Sequence, residues 1–123
     1  MYFKRNKYRN HIVKAGDETF SSKKEYKRWI ELSILEEAGV IRNLQRQVKY
    51  ELIPAQRERE TITQRGRIVP GKVIEREVCY YADFVYEQDG EVIVEDTKGV
   101  RTDAYIIKRK LLLERHGIRI KEI

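Results

Sequence analysis

At 123 residues, the chain has the length of one ordinary domain and can bury a core of its own. Its 41% hydrophobic and 37% charged residues favour a folded chain over a disordered one. The lone Cys79, with His11 and His116, excludes an intrachain disulfide and a thiolate zinc cage. The net charge of +6 is unevenly spread. Residues 1–14 hold Lys4, Arg5, Lys7, Arg9 and Lys14 with no acid. Residues 98–121 hold Lys98, Arg101, Lys108, Arg109, Lys110, Arg115, Arg119 and Lys121 against Asp103 and Glu114. Two positive segments suit a polyanion, because each phosphate neutralised releases counterions. A merely soluble basic surface is the plain alternative. The opening Met1-Tyr2-Phe3-Lys4-Arg5 enters no apolar stretch of signal-peptide length, and no run approaches the ~20 apolar residues that span a bilayer. The expectation is a cytoplasmic protein with no membrane partner.

In chain order, residues from about 1 to 12 read as a basic arm. Val13 to Phe20 reads as a short hairpin around Ala15-Gly16-Asp17. Ser22-Lys23-Lys24-Glu25 matches a capping box, and Tyr26, Trp29, Ile30, Leu32 and Leu35 follow at helical spacing until Gly39. From Leu44 the period becomes two, with Leu44, Val48, Tyr50 and Leu52 on one side, Arg46 between the first two, and Gln45, Gln47, Lys49 and Glu51 on the other. Pro54 ends this strand. A polar excursion at about 55–72 ends in Pro70-Gly71 and reads as an extended hairpin or a mobile loop. Strand character runs from Val73 to Tyr86, turns at Gln88-Asp89-Gly90, and resumes from Glu91 to Lys98. A second helix is expected from Thr102 or Asp103 to His116, stopped by Gly117, and Ile118 to Ile123 alternates as a last strand. The expectation is an α/β chain forming a single domain over residues 1–123, ordered helix, three strands, helix, strand.

Asp83 lies within the apolar and aromatic run Tyr80-Tyr81-Ala82-Asp83-Phe84-Val85-Tyr86, where a carboxylate is costly unless paired. Asp96 and Lys98 are two apart in a strand and leave the same face. A tight turn at Gln88-Asp89-Gly90 sets Asp83 across from Asp96, close enough for both carboxylates to share a divalent ion. Hard oxygens hold magnesium, which accepts a phosphate oxygen as a further ligand and lowers the pKa of a bound water. Lys98 then orients that water or stabilises charge on the phosphoryl oxygens.

Ala82-Asp83, a gap, then Asp96-Thr97-Lys98 resembles the PD-(D/E)XK nuclease signature, with alanine in place of proline. The resemblance implies a restriction-endonuclease-like core with a mixed sheet in helix-strand-strand-strand-helix-strand order. Some members of that superfamily, junction-resolving enzymes among them, carry a glutamate on the first helix. Glu25 is the matching position, with Glu31 farther from the helix start. More narrowly, Phe20 to Tyr26, Leu44 to Val48, Tyr81 to Tyr86 and Glu95 to Gly99 are similar to a small phage and prophage family within the superfamily.

Each residue also has a plainer reading. Asp83 can also be read as a strand aspartate bonded to backbone, Asp96 as the start of a turn, Lys98 as a solvated strand-end lysine, and Glu25 as the last member of a capping box. Glu95 faces away from Asp96 and reads as a surface or salt-bridge residue. Gln47 lies on the polar face of its strand, where it lines the site. Tyr26, Trp29 and Ile30 read as core, and Tyr80 and Tyr86 as strand packing.

These readings lead to a magnesium-dependent endonuclease acting on DNA, with manganese as the alternative ion. Asp83 and Asp96 hold the metal with the Thr97 carbonyl, Glu25 completes the site, and Lys98 serves the water. Lys4, Arg5, Lys7, Arg9, Arg101, Tyr105, Lys108 and Arg109 grip phosphates without reading sequence. With no separate specificity domain, the expected substrate is branched DNA such as a Holliday junction, cut by a homodimer encoded by a phage or prophage. The rivals are an inert nuclease-fold DNA-binding protein and a phage-complex interaction module using residues 55–72.

Overall fold

A computed structural model describes residues 2–5 and 11–123, with side chains described from Ile12 onward. In chain order the elements are β1 (Tyr2–Arg5), β2 (His11–Ala15), β3 (Glu18–Phe20), α1 (Lys23–Glu37) and β4 (Arg42–Ile53). There follow β5 (Gln56–Arg57), β6 (Thr61–Ile62), β7 (Ile68–Val69), β8 (Val73–Glu75), β9 (Val78–Gln88), β10 (Glu91–Asp96), α2 (Asp103–His116) and β11 (Lys121–Glu122). The chain is mixed α/β, with two helices and a mixed sheet among the described residues. It divides into two compact units. The first comprises Met1–Val48, Ala82–Arg101 and Arg119–Ile123, and the second Lys49–Tyr81 and Thr102–Ile118.

In the first unit, β1, β2 and β3 form a small sheet in that order. Residues 2–5, expected as part of an arm, pair antiparallel with β2 from Tyr2↔Lys14 to Arg5↔His11. A ladder satisfies their backbone groups where a loose arm would leave them to water. Gly16, at φ +64°, turns the expected β2–β3 hairpin. The Ser22 hydroxyl caps α1 by accepting from the Glu25 N–H at 3.1 Å. One face of α1 then packs inward. Leu32, Ile41, Phe84 and Tyr86 form the core cluster, with Trp29, Leu35, Leu44 and Ile93 against it. Ile30, expected in the core, is 42% exposed. It lies one position off the stripe 25, 29, 32 that a period of 3.6 turns inward.

The main sheet has the order β11-β10-β9-β4. Asp89 at φ +52° and Gly90 at φ +78° form the two-residue loop between β9 and β10. Positive φ at both positions suits the right-handed twist of the flanking strands. The antiparallel register runs from Glu91↔Gln88 to Glu95↔Phe84, and Asp96 and Asp83 are the next residues along the two strands. β10 stops at Asp96, two residues short of the expected Lys98, where the Thr97 N–H turns to the Asp83 carboxylate at 2.9 Å. β11 joins β10 in parallel through Glu95↔Lys121 and Asp96↔Glu122. The final strand, expected over 118–123, is therefore only two residues long, extended by the Ile123 N–H bonding to the Asp96 carbonyl at 2.9 Å. Lying between β9 and β11, β10 buries Val94, Glu95 and Asp96 in succession, so both of its faces are covered.

In the second unit, the excursion after Pro54 is a β-ribbon. β5 pairs with β8, and β6 with β7, both antiparallel. The expected strand from Val73 to Tyr86 breaks between β8 and β9, at Arg76 and Glu77. α2 begins at Thr102, whose hydroxyl accepts from the Tyr105 N–H at 3.1 Å, and ends at Gly117 with φ +67°. Tyr80 and Tyr105 are buried with ring centroids 6.5 Å apart. Among the described residues, no helix is long and apolar enough to cross a membrane.

Candidate active site

Glu25 lies on the inward stripe of α1 and is 1% exposed. A carboxylate there requires partners, and its two oxygens divide them. Oε2 accepts from the Ser21 N–H at 3.0 Å and the Ser21 hydroxyl at 2.5 Å. Oε1 accepts from the Gln47 amide at 3.0 Å and faces the Arg46 guanidinium at 3.4 Å. A capping box would send the glutamate back to the Ser22 N–H. Here it reaches Ser21 instead, so one oxygen secures the helix entry and the other is turned to the site.

Gln47 makes the link. Its amide nitrogen donates to Glu25 Oε1 and, at 3.1 Å, to Asp83 Oδ1, so two carboxylates converge on one point. The residue sits at φ +51° within β4, a conformation that costs an L side chain of order 1 kcal/mol and recurs at functional sites. Asp83 Oδ2 accepts from the Thr97 N–H at 2.9 Å and its hydroxyl at 2.8 Å. Glu25, Gln47 and Asp83 line an open cleft of about 410 Å³ with Ile12, Thr19 and Ser21. Arg46 sits over the Phe20 ring, 3.8 Å from its centroid, and its hydrogen bonds run to Glu18, the Thr19 carbonyl and Glu25. Its buried Nε has no hydrogen-bond partner.

Asp96 is 2% exposed and meets Lys98 Nζ at 3.2 Å. Lys24 Nζ reaches back to the Lys98 carbonyl at 3.3 Å. Every sequence-predicted catalytic side chain therefore lies in the first unit, in two groups: Glu25, Gln47 and Asp83 around one amide, and Asp96 with Lys98. Among the described residues no three His, Cys, Asp or Glu side chains stand together as a ready-made metal cage. In kind, the donors suit a hard divalent cation. They are carboxylate oxygens, two of them pointing at a single positively polarised NH₂ group.

A family model covers residues 5–121. The chain belongs to the family described as "Protein of unknown function (DUF1064)". No curated protein and no solved structure matches it.

In this DUF1064 chain the buried partner of the site is Glu95, fully shielded from solvent. Arg28 grips both its oxygens, Nε to Oε1 at 2.8 Å and Nη2 to Oε2 at 2.7 Å, and the Tyr86 hydroxyl donates to Oε2. The bond to Glu95 holds the Arg28 guanidinium even more firmly protonated than usual. Burial first, then the bond to Glu95, pushes the Tyr86 phenol up to about 12. Expected as a surface or salt-bridge residue, Glu95 is a salt-bridge residue in the interior. It ties α1, which carries Glu25, to β10, which carries Asp96.

The residues expected to grip phosphates are scattered. Tyr105 is 5% exposed and packs on Tyr80, with the Arg109 guanidinium 5.9 Å from its ring centroid. That corrects its reading as a phosphate contact to one of packing. Arg101 is exposed and paired with Glu122 at 2.8 Å. Lys108 and Arg109 are half-buried on α2. Lys7 and Arg9 lie outside the described residues, as do the side chains of Lys4 and Arg5. Sequence reasoning missed Arg28, Arg46 and Ser21. Only Arg46 left a signal, as a cation on the inward side of the β4 alternation.

Proposed function

We propose that the protein is a metal-dependent endonuclease hydrolysing DNA phosphodiester bonds. The observation that carries this reading is the joint bridging of Glu25 and Asp83 by one amide in an open cleft, with the Asp96–Lys98 pair next along the β9–β10 register. Asp83 and Asp96 would hold magnesium or manganese, with the Thr97 carbonyl and Glu25 completing the set. When bound, the ion supplies Lewis acidity and a water of lowered pKa.

The chain's own residues do the rest. Thr97 fixes Asp83 through two hydrogen bonds, and Ser21 fixes Glu25 through two more. Lys98, held by Asp96, orients the attacking water and offsets charge building on the phosphoryl oxygens. A restriction-endonuclease-like core belongs to the same proposal, supported by the order α1, β4, β9, β10, α2, β11 once the β1–β3 sheet and the β5–β8 ribbon are set aside. Branched DNA is the proposed substrate and a homodimer the proposed form, since paired cuts need two sites.

One observation favours a second reading, an inert DNA-binding module: every acid of the site is engaged by a neighbouring side chain or backbone group. The deciding experiment is cleavage of labelled four-way junction, flap, nicked and linear duplex DNA with magnesium or manganese. The expected result is metal-dependent cutting, reduced about 10²–10³-fold by Lys98→Ala and abolished by Asp83→Asn. Binding without any cutting by the wild type would leave the inert module.

A further inference from the structure

The residues that line the cleft all belong to the first unit, and the ribbon belongs to the second. Every residue from Gln56 to Pro70 is exposed, so this segment contributes nothing to a core. A two-stranded ribbon alone is marginal in water, yet this one is built firmly. At its tip the Thr63 N–H bonds to the Arg67 carbonyl and the Gly66 N–H to the Thr63 carbonyl, both at 2.9 Å. The Thr63 hydroxyl adds a bond from the Arg67 N–H at 3.0 Å. With Gly66 at φ +81°, this is a three-residue loop of a standard hairpin kind. At its base the Glu58 N–H bonds to the Lys72 carbonyl at 2.8 Å. There the strands pass so closely that a Cβ on Gly71 would stand 2.0 Å from the Glu58 carbonyl oxygen.

The surface of this ribbon is polarised. From Thr61 to Val69, at the tip, its only charged residues are Arg65 and Arg67, whereas toward the base Glu58, Glu60 and Glu75 are mixed with Arg57, Arg59 and Lys72. Ile62 and Ile68 face each other across the strands and are 72% and 58% exposed. Val69, Val73 and Ile74 are exposed as well. Cations flanking apolar side chains on a thin ribbon match a nucleic-acid groove. Phosphates line its edges, and sugars and thymine methyl groups offer apolar contact within. A two-stranded ribbon is also narrow enough to enter the major groove.

We infer that residues 56–75 form an arm that enters a groove of duplex DNA, with Arg65 and Arg67 on the phosphates and Ile62 and Ile68 against the groove. The inference rests on the DNA-binding part of the proposed function and not on its metal chemistry. It is tested by fluorescence anisotropy of a labelled duplex with chelator present, over a series of salt concentrations, beside a cleavage assay of the same variants with magnesium.

The double substitution Arg65→Ala and Arg67→Ala is expected to weaken binding about tenfold and to reduce the slope of log K against log salt by about 2. Ile62→Ser with Ile68→Ser is expected to weaken binding with the slope unchanged. Both pairs are exposed, and circular dichroism melts matching the wild type show that the fold persists. If both double variants bind with wild-type affinity and slope, the ribbon serves a protein partner or none, and the inference fails. Cutting by those variants at the wild-type rate would then leave the nuclease reading intact. Conversely, a wild type that cuts nothing but binds duplex through Arg65 and Arg67 would remove the nuclease reading and keep the arm.

Discussion

Charge is handled in opposite ways in the two units. In the first, Glu25, Glu95 and Asp96 are 1%, 0% and 2% exposed, and each is held by named donors or cations. In the second, the ribbon exposes all of residues 56–70, and the only charged residues at its tip, from Thr61 to Val69, are Arg65 and Arg67. Burying a carboxylate costs several kcal/mol unless it is paired. Three in one unit are therefore a costly way to stabilise a fold and an effective way to fix negative charge at chosen points. Exposed arginines on a ribbon involve little desolvation and keep their full reach for an anionic ligand. On the proposed reading, the contrast separates a fixed centre for chemistry from an arm for grip.

The contrast is broken or sharpened first by stability. Glu95→Ala leaves Arg28 without its buried partner and is expected to cost about 3 kcal/mol, read from urea denaturation. Arg65→Ala at the ribbon tip is expected to stay within about 0.5 kcal/mol. Equal costs at the two positions would mean that burial does not divide the units in this way. A smaller effect is expected from Gly71→Ala, about 1–3 kcal/mol, because the added methyl meets backbone that has no rotamer to yield. Loss of DNA affinity in that variant, with its core intact, would further mark the ribbon as the arm.

The mildest effect concerns pH. The Tyr86 phenol is pushed up to about 12, above the ordinary value near 10. A raised folded pKa adds stability that is fully present below pH 10 and is lost as the pH rises toward 12. Wild type should therefore lose more stability than Tyr86→Phe between pH 10 and 12, as followed by denaturation midpoints. Parallel curves would remove Tyr86 from the buried network.

Local signals in the sequence placed much of this. Ser22 and Gly117 bound the helices where capping chemistry puts them, and the Asp89-Gly90 turn joins strands whose register runs from Glu91↔Gln88 to Glu95↔Phe84. Alternation along β4 assigned Gln47 to the side where it meets Asp83. What remained hidden depends on partners distant in sequence. Arg28 and Glu95 are 67 positions apart, and neither residue signals the other. Glu95 does face away from Asp96, as alternation requires. On a strand covered on both faces, however, facing away leads into the interior and not to solvent. Tyr105 misled in a similar way, since a tyrosine beside Lys108 and Arg109 on a basic helix is compatible with a phosphate contact until its burial is known.

The most direct test of the site is calorimetric titration of the chain with Mn²⁺ at neutral pH, for wild type, Glu25→Gln and Asp96→Asn. The expected result is saturable binding by the wild type, weakened at least about tenfold by either substitution. Glu25 and Asp96 would then act on a single ion despite standing in separate side-chain groups. Binding that is absent in the wild type with duplex DNA present, or indifferent to both substitutions, would contradict the metal centre.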